Sequence, residues 1–436
     1  MRGTTPAIPA ATVRAVNRLT ARWAGATAIG PDGVPDGEGA GSTVLSAAGL
    51  WPLLGFLADG AAGPARAELE EALGMRAAEA AGAARGLLAA LSAIRGSAAA
   101  VGLWARHDLE LREEWRAGLP ASALGRLGGE GPEADRRRLD AWAAEHTGGL
   151  IPAMPVAVHE GTELLLAVAQ TLRTRWIRPF SAGLMAPETG PWAGRELAGL
   201  GRRTALLDRV GVAETAIGPL TVLRVLGNTG VDVHLLLGPE EAAGWAVIAA
   251  GVALLSGGRK AVPGDMLPLG APGPGLRVAF RPSVHREPDL CVHTPAFSLS
   301  ADHDLLSRAG LFGLTAAGRA DPAPLPGVSD GPLAVEGARQ AAVARFHARG
   351  FEAASVAASG AAGGAPSRSY RVRSVDVDLD RPFGFLAVHR TSRLVLSAGW
   401  VADPLPFEED EVTGWDDDED DEDDVGDVGD VGDGSR

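Results

Sequence analysis

Two stretches of this chain carry residue types whose spacing could do chemistry. Gly327–Gly331 reads GVSDG, the G-x-S-x-G spacing in which a serine on a tight strand-to-helix turn becomes a nucleophile. That role needs a strand before the serine and a helix after it. Here ADPAPLP precedes and GPLAV follows, so Ser329 reads as a turn serine. The second stretch, RGFEAASVAASGAAGGAPSRSYR from Arg349 to Arg371, is a long run of Ala, Gly and Ser that ends in two arginines and the chain's only tyrosine. Such residues bury little apolar surface, so the run reads as a loop. At more than about 15 residues, a loop in a compact protein calls for a function or is disordered.

Other chemistries find no support in spacing. The nine histidines are scattered, with no H-E-x-x-H pair and a single cysteine, Cys291, so neither a metal nor a cofactor is expected. The glycine-rich LGAPGPGL and LLSGGRKA lack the G-x-x-x-x-G-K spacing of a phosphate cradle and read as loops. The longest apolar run, WAVIAAGVALLSGG from Trp245, is short of the ~20 residues of a membrane span. One cysteine excludes an internal disulfide. With no apolar h-region near the N-terminus, the expected location is the cytoplasm, and an extracellular one is the alternative.

Charge is distributed unevenly. The formal net charge is -15, and Phe407–Arg436 holds 16 acidic residues against one arginine, so Met1–Pro406 is neutral with 39 acidic and 39 basic residues. All but one of the 40 basic residues are arginine, a bias expected of GC-rich coding. No basic stripe supports nucleic-acid binding. The tail divides the chain into a folded domain over 10–406 and an acidic low-complexity segment over 407–436, which is expected to be disordered and to attract a basic partner.

The elements that must position these stretches follow from periodicity. Val13, Val16, Leu19 and Trp23 keep helical spacing, as do Leu50, Leu53, Leu54 and Leu57. Further helices are expected at ARAELEEALG, ARGLLAALSAI and DRRRLDAWAAEHTG. Strand signals sit in LLLAVAQTL from Leu164, in LTVLRVLGNTGVDVHLLLG with its Gly-Asn-Thr-Gly turn, and in VDVDLDRPFGFLAVHRTSRLVLSAGWV. Helices come early and hairpins late, which predicts an α+β fold. Local propensity alone makes AVEGARQAAVARFHA a helix.

The order and spacing of four of these segments resemble the serpin family over roughly Val13 to Pro404. STVLSAAGLWPLLGFLADGAAGPARAELEEALG, LDAWAAEHTGGLI, LLLAVAQTLRTRWIRPF and LDRPFGFLAVHRTSRLVLSAGWVADP carry the resemblance, with Ser46, Gly60, Trp142, Thr147 and Trp176 in phase. The chain is similar to a bacterial-type member with an added acidic tail. The resemblance implies a mixed fold of three sheets and about nine helices, and a monomer with no catalytic machinery of its own. Its function would be to inhibit a serine endopeptidase.

In that reading the long stretch is the reactive-centre loop, offered as bait to a protease and inserted into the large sheet after cleavage. Gly350, Phe351, Glu352, Ala353, Ala354 and Ser355 form the hinge. Phe351, Ala353, Ser355 and Ala357 would face inward, and Trp176 stands at the breach where the sheet opens. Arg368–Ser369 is the expected reactive bond, suited to a trypsin-like enzyme whose acidic pocket pairs an arginine. The chain departs from the family at Phe351 and Ala348 in the hinge, and at Ala47, Gly49, Val168 and Gln340 where sheet opening is gated. A non-inhibitory binding or structural protein on the same fold is the alternative.

Overall fold

The computed structural model describes residues 7–27, 41–257, 260–321, 323–351 and 370–408. Among them are eight α-helices, against about nine expected, and three sheets.

Sheet A holds β3 (Leu124–Leu127), β2 (Ser97–Arg106), β4 (Leu164–Leu172), β15 (Gly337–His347), β16 (Gly350–Phe351) and β5 (Thr174–Arg175), with β14 (Phe297–Asp304) along the far side of β15. Sheet B runs β1 (Thr43–Leu45), β19 (Val395–Val401), β18 (Phe383–His389), β10 (Val231–Leu237), β9 (Gly218–Leu226), β8 (Val210–Thr215) and β11 (Val262–Pro263). Sheet C runs β12 (Leu276–Ser283), β17 (Tyr370–Asp378), β13 (Asp289–Pro295), β7 (Leu197–Thr204) and β6 (Ser181–Met185).

The helices are α1 (Ala10–Thr27), α2 (Ala47–Gly60), α3 (Gly63–Leu73), α4 (Ala77–Ala93), α5 (Glu113–Ala117), α6 (Pro132–Thr147), α7 (Gly244–Leu255) and α8 (Ala309–Phe312). α1 buries Val13, Val16, Leu19 and Trp23, the face its spacing predicted. α2 is apolar all round and is buried along almost its whole length, as a helix without a polar face must be. The apolar run from Trp245 is α7.

Sheet A is buried on both faces, which explains why β4 reads as a continuous apolar run. Its Leu164, Leu166 and Val168 point into the main core, while Leu165, Ala167 and Ala169 meet Leu139, Ala143, Ile151 and Met154 of α6 and the segment after it. β15 overturns its helical propensity for the same reason. Ala338, Ala342, Ala344 and Phe346 face the main core and Ala341 with Val343 faces the α6 layer, a period of two that only a strand provides.

Several strands escaped the sequence reading, β2, β7, β13 and β14 among them, and β12 is the most consequential. β12 lies just beyond the glycine-rich run read as a loop, and it pairs antiparallel with the whole of Tyr370–Val377. β13 pairs parallel with the other edge of β17. Ser329 is buried in a turn, where its Oγ accepts the Gly331 amide, as its flanks predicted.

Candidate functional site

The region of interest is the upper end of sheet A, where β4 leads through Arg173 into β5 and Trp176. β15 reverses over Ala348–Arg349, and β16 returns beside it, with Phe351 opposite Phe346 and Gly350 opposite His347. On its other edge β16 pairs with β5, Gly350 opposite Arg175 and Phe351 opposite Thr174. Two residues are thus wedged into the top of the sheet. Below them β15 pairs directly with β4, in parallel, from Gly337–Leu165 to Ala342–Gln170.

The wedge explains two residues. A Cβ on Gly350 would sit 2.5 Å from the Thr174 carbonyl oxygen, so only glycine lets β16 approach β5 this closely. Phe351 is 1% exposed, its ring 5.9 Å from that of Phe385. Phe385 continues through Phe297 and Phe346 to Trp176, with centroid separations of 5.2, 5.3 and 4.9 Å. Trp176 closes this aromatic column at the breach. Its indole Nε1 donates to the His347 carbonyl at 2.8 Å, its backbone amide to Arg349 at 2.9 Å, and the Phe180 amide to Ala348 at 2.8 Å.

Lower in the sheet, where four positions depart from the family pattern, two glutamines carry the polar contacts. Gln340, fully buried on β15, accepts the Ser46 amide at 2.9 Å and donates to the Ser46 carbonyl at 2.8 Å. Gln170 on β4 places its Oε1 2.5 Å from the Ser46 hydroxyl and donates to Leu396 at 3.4 Å. Ser46 also caps α2 by accepting the Gly49 amide. A Cβ on Gly49 would lie 2.6 Å from Gln170 Oε1 and 2.9 Å from Val168 Cγ1, so the missing side chain at 49 makes room for the larger ones at 168 and 170. Across β15, His303 places Nε2 2.7 Å from the Val44 carbonyl, and burial lowers its pKa. Gln170 was not singled out from the sequence, although a lone amide inside LLLAVAQTL was the available signal.

Of the residues named from the sequence, Gly350, Phe351 and Trp176 come together here. Glu352, Ala353, Ala354, Ser355, Ala357, Arg368 and Ser369 lie outside the described residues. Tyr370 opens β17, where its exposed ring lies under the Arg286 guanidinium at 5.1 Å.

A family model described as Serpin (serine protease inhibitor) matches residues 34–189 and 279–404. Serpin-Z6C of Oryza sativa subsp. japonica is 26% identical over 398 residues, covering 84% of this chain and 91% of the relative. Among solved structures, thyroxine-binding globulin in complex with thyroxine superposes with a TM-score of 0.67 at 15% identity, covering 91% of this chain and 99% of the other. Native protease nexin-1 with heparin gives 0.67 at 14% identity, covering 90% and 98%. A serpin from the trematode Schistosoma haematobium gives 0.65 at 14% identity, covering 91% and 100%.

Proposed function

The chain belongs to the serpin family, and from that premise we propose that it inhibits a trypsin-like serine protease by presenting Arg368–Ser369 and inserting the cleaved hinge into sheet A. The observation that carries this reading is the seat of Gly350 and Phe351 between β15 and β5, antiparallel to both. A strand continuing downward from Phe351 would replace the parallel β4–β15 ladder with two antiparallel ladders. Antiparallel pairing is the more stable per residue, and twice as many edges are satisfied, so cleavage releases a chain with somewhere lower in free energy to go.

Because side chains alternate along a strand, an inserted strand in register with the buried Phe351 would turn Ala353, Ser355 and Ala357 to the same inward face. Small residues there avoid the ~1–3 kcal/mol cost of overpacking a core. The inhibitor itself supplies no catalytic group; the acyl bond is made by the protease. The negative charge of the tail calls for a cationic partner.

The test compares intact with loop-cleaved protein on heating. A large upward shift of the unfolding midpoint on cleavage is expected; equal midpoints would overturn the reading. A second reading, a non-inhibitory carrier, is favoured by a cavity of about 230 Å³ between α7 and sheet B, lined by Leu236 and Leu254 with Arg224, Lys260 and Arg393 against one carboxylate, Asp208. In that case an amphipathic anion would raise the midpoint of the intact protein and cleavage would not.

A further inference from the structure

Several arginines of the upper sheets have a carboxylate partner. Arg203 pairs with Asp289 at 3.0 Å, and Arg281 and Arg390 pair with Asp376 and Asp232. Arg178 and Arg202, beside the breach, have no carboxylate partner among the described residues. Arg202 on β7 donates from Nη1 to the Arg178 backbone carbonyl at 3.0 Å and stacks its guanidinium 4.2 Å over the Phe180 ring. Its Nε–H is buried with no acceptor among the described residues. Arg178 is exposed and reaches only the Thr204 hydroxyl, at 3.3 Å. Asp208, six residues along from Arg202, is taken by Arg209 at 2.9 Å.

Burial and the charges of Arg178 and Arg209 push the Arg202 pKa down to about 10, the mark of a cation held among cations without a counter-ion. The site adjoins the hairpin, since Phe180 bonds to Ala348.

The chain carries its own polyanion within reach. Phe407 donates its amide to Glu196 at 3.0 Å, and Pro406 bridges Leu197, the first residue of β7. Arg202 lies six residues along from Glu196, about 20 Å at the strand rise. Asp416–Asp424 is an unbroken run of nine acids that begins nine residues after Phe407. A random coil of nine residues spans about 15–18 Å root-mean-square, enough for such a run to approach the arginines. Tethering gives its carboxylates a local concentration on the order of millimolar.

We propose that Arg178 and Arg202 form an anion-binding site beside the breach, and that its occupant is the protein's own acidic tail, Asp416–Asp424. Guanidinium and carboxylate pair with matched geometry, and the exposed part of the contact weakens with salt. This inference stands whether or not the loop is inhibitory, because it rests on residues outside the hinge.

The experiment uses the full-length chain and a second one in which Asp416–Asp424 is neutralised to Asn, with Gln for Glu419 and Glu422. A fluorescent peptide of residues 409–436 is titrated into each at low salt. The peptide should bind the neutralised chain at least tenfold more tightly than the parent, whose site is already filled, and should lose at least tenfold between about 20 and 200 mM salt. Arg178→Gln and Arg202→Gln in the neutralised chain should each weaken it several-fold, whereas Arg277→Gln on β12 should not. Arg178 is exposed, so its variant remains informative if Arg202→Gln fails to fold. Equal binding to parent and neutralised chains, no binding to either, or indifference to Arg178→Gln would overturn the proposal. Inorganic sulfate that competes equally well in both chains would show an anion site that the tail does not occupy, and would overturn the assignment of the occupant.

Discussion

Gln340 grips the main chain of Ser46 with both ends of its amide, accepting from the nitrogen at 2.9 Å and donating to the oxygen at 2.8 Å. This contact ties β15 to the N-terminus of α2 at the middle of sheet A. Gln340→Ala strands the buried Ser46 amide, at about 1–3 kcal/mol, and takes one of two donors from the Ser46 carbonyl, which keeps the Leu50 amide at 3.4 Å. The intact protein should lose about 2–4 kcal/mol in a urea melt. A loss below about 1 kcal/mol would mean the grip is not what holds the two elements together.

Gly350→Ala adds a Cβ 2.5 Å from the Thr174 carbonyl oxygen, backbone that cannot step aside. β16 should leave its place between β15 and β5, and Phe351 should leave the core with it. Hydrogen exchange at residues 350 and 351 should rise steeply while protection of β4 and β14 stays as it was. Unchanged exchange there would show that the wedge tolerates a methyl group.

Arg368→Ala should abolish cleavage by trypsin at the loop, and with it any covalent complex that resists boiling in detergent. Cleavage at an unchanged rate would place the reactive bond elsewhere, with Arg371 as the nearest alternative.

β17, which follows Ser369, is an interior strand, laddered to β12 from Tyr370 to Val377 and to β13 from Ser374 to Asp378. An uncut loop cannot insert fully without pulling this strand out. Intact protein held just below its unfolding midpoint should therefore stay as susceptible to loop cleavage as at the start, and growing resistance would show that β17 lets go.

His234, buried on β10, has its pKa pushed down to about 4, chiefly by burial, with Arg224 and Arg393 adding to the effect. The folded state thus favours the neutral ring. Its contribution to stability is complete above the unfolded pKa near 6.5 and is lost as pH falls toward 4, because the unfolded chain binds the proton first. His303 and His389 act in the same direction. His293, raised by Asp378, acts in the opposite one, stabilising at low pH and fading as pH rises through its folded value. Unfolding free energy should fall by roughly 1 kcal/mol per pH unit for His234 alone between pH 6.5 and 4. His234→Gln should flatten that part of the profile, and an unaltered slope would clear His234 of the effect.

Part of the fold was legible before it was known, and the reasons differ from residue to residue. Helical spacing at Val13, Val16, Leu19 and Trp23 determined a buried face because 3.6-residue periodicity is a local property. The order of four motifs determined the family, and the tail declared its charge outright. The strand β15 could be read only against its own propensity, since Ala, Arg and Gln favour a helix until a sheet neighbour on each side and a layer on each face reward extended backbone. β12 was missed because its pairing with β17 joins segments nearly a hundred residues apart, and nothing local announces such a partner. Gly49 looked like a simple departure from the family until Gln170 was seen filling the space beside it, and Arg178 and Arg202 were two arginines among 39 until the fold set them side by side without an acid. Composition and periodicity determine the elements whose apolar face is written locally, such as α1. Which long-range neighbours share a void, a ladder or a charge is decided only when packing brings distant residues within a few ångströms, where sterics and unscreened electrostatics act.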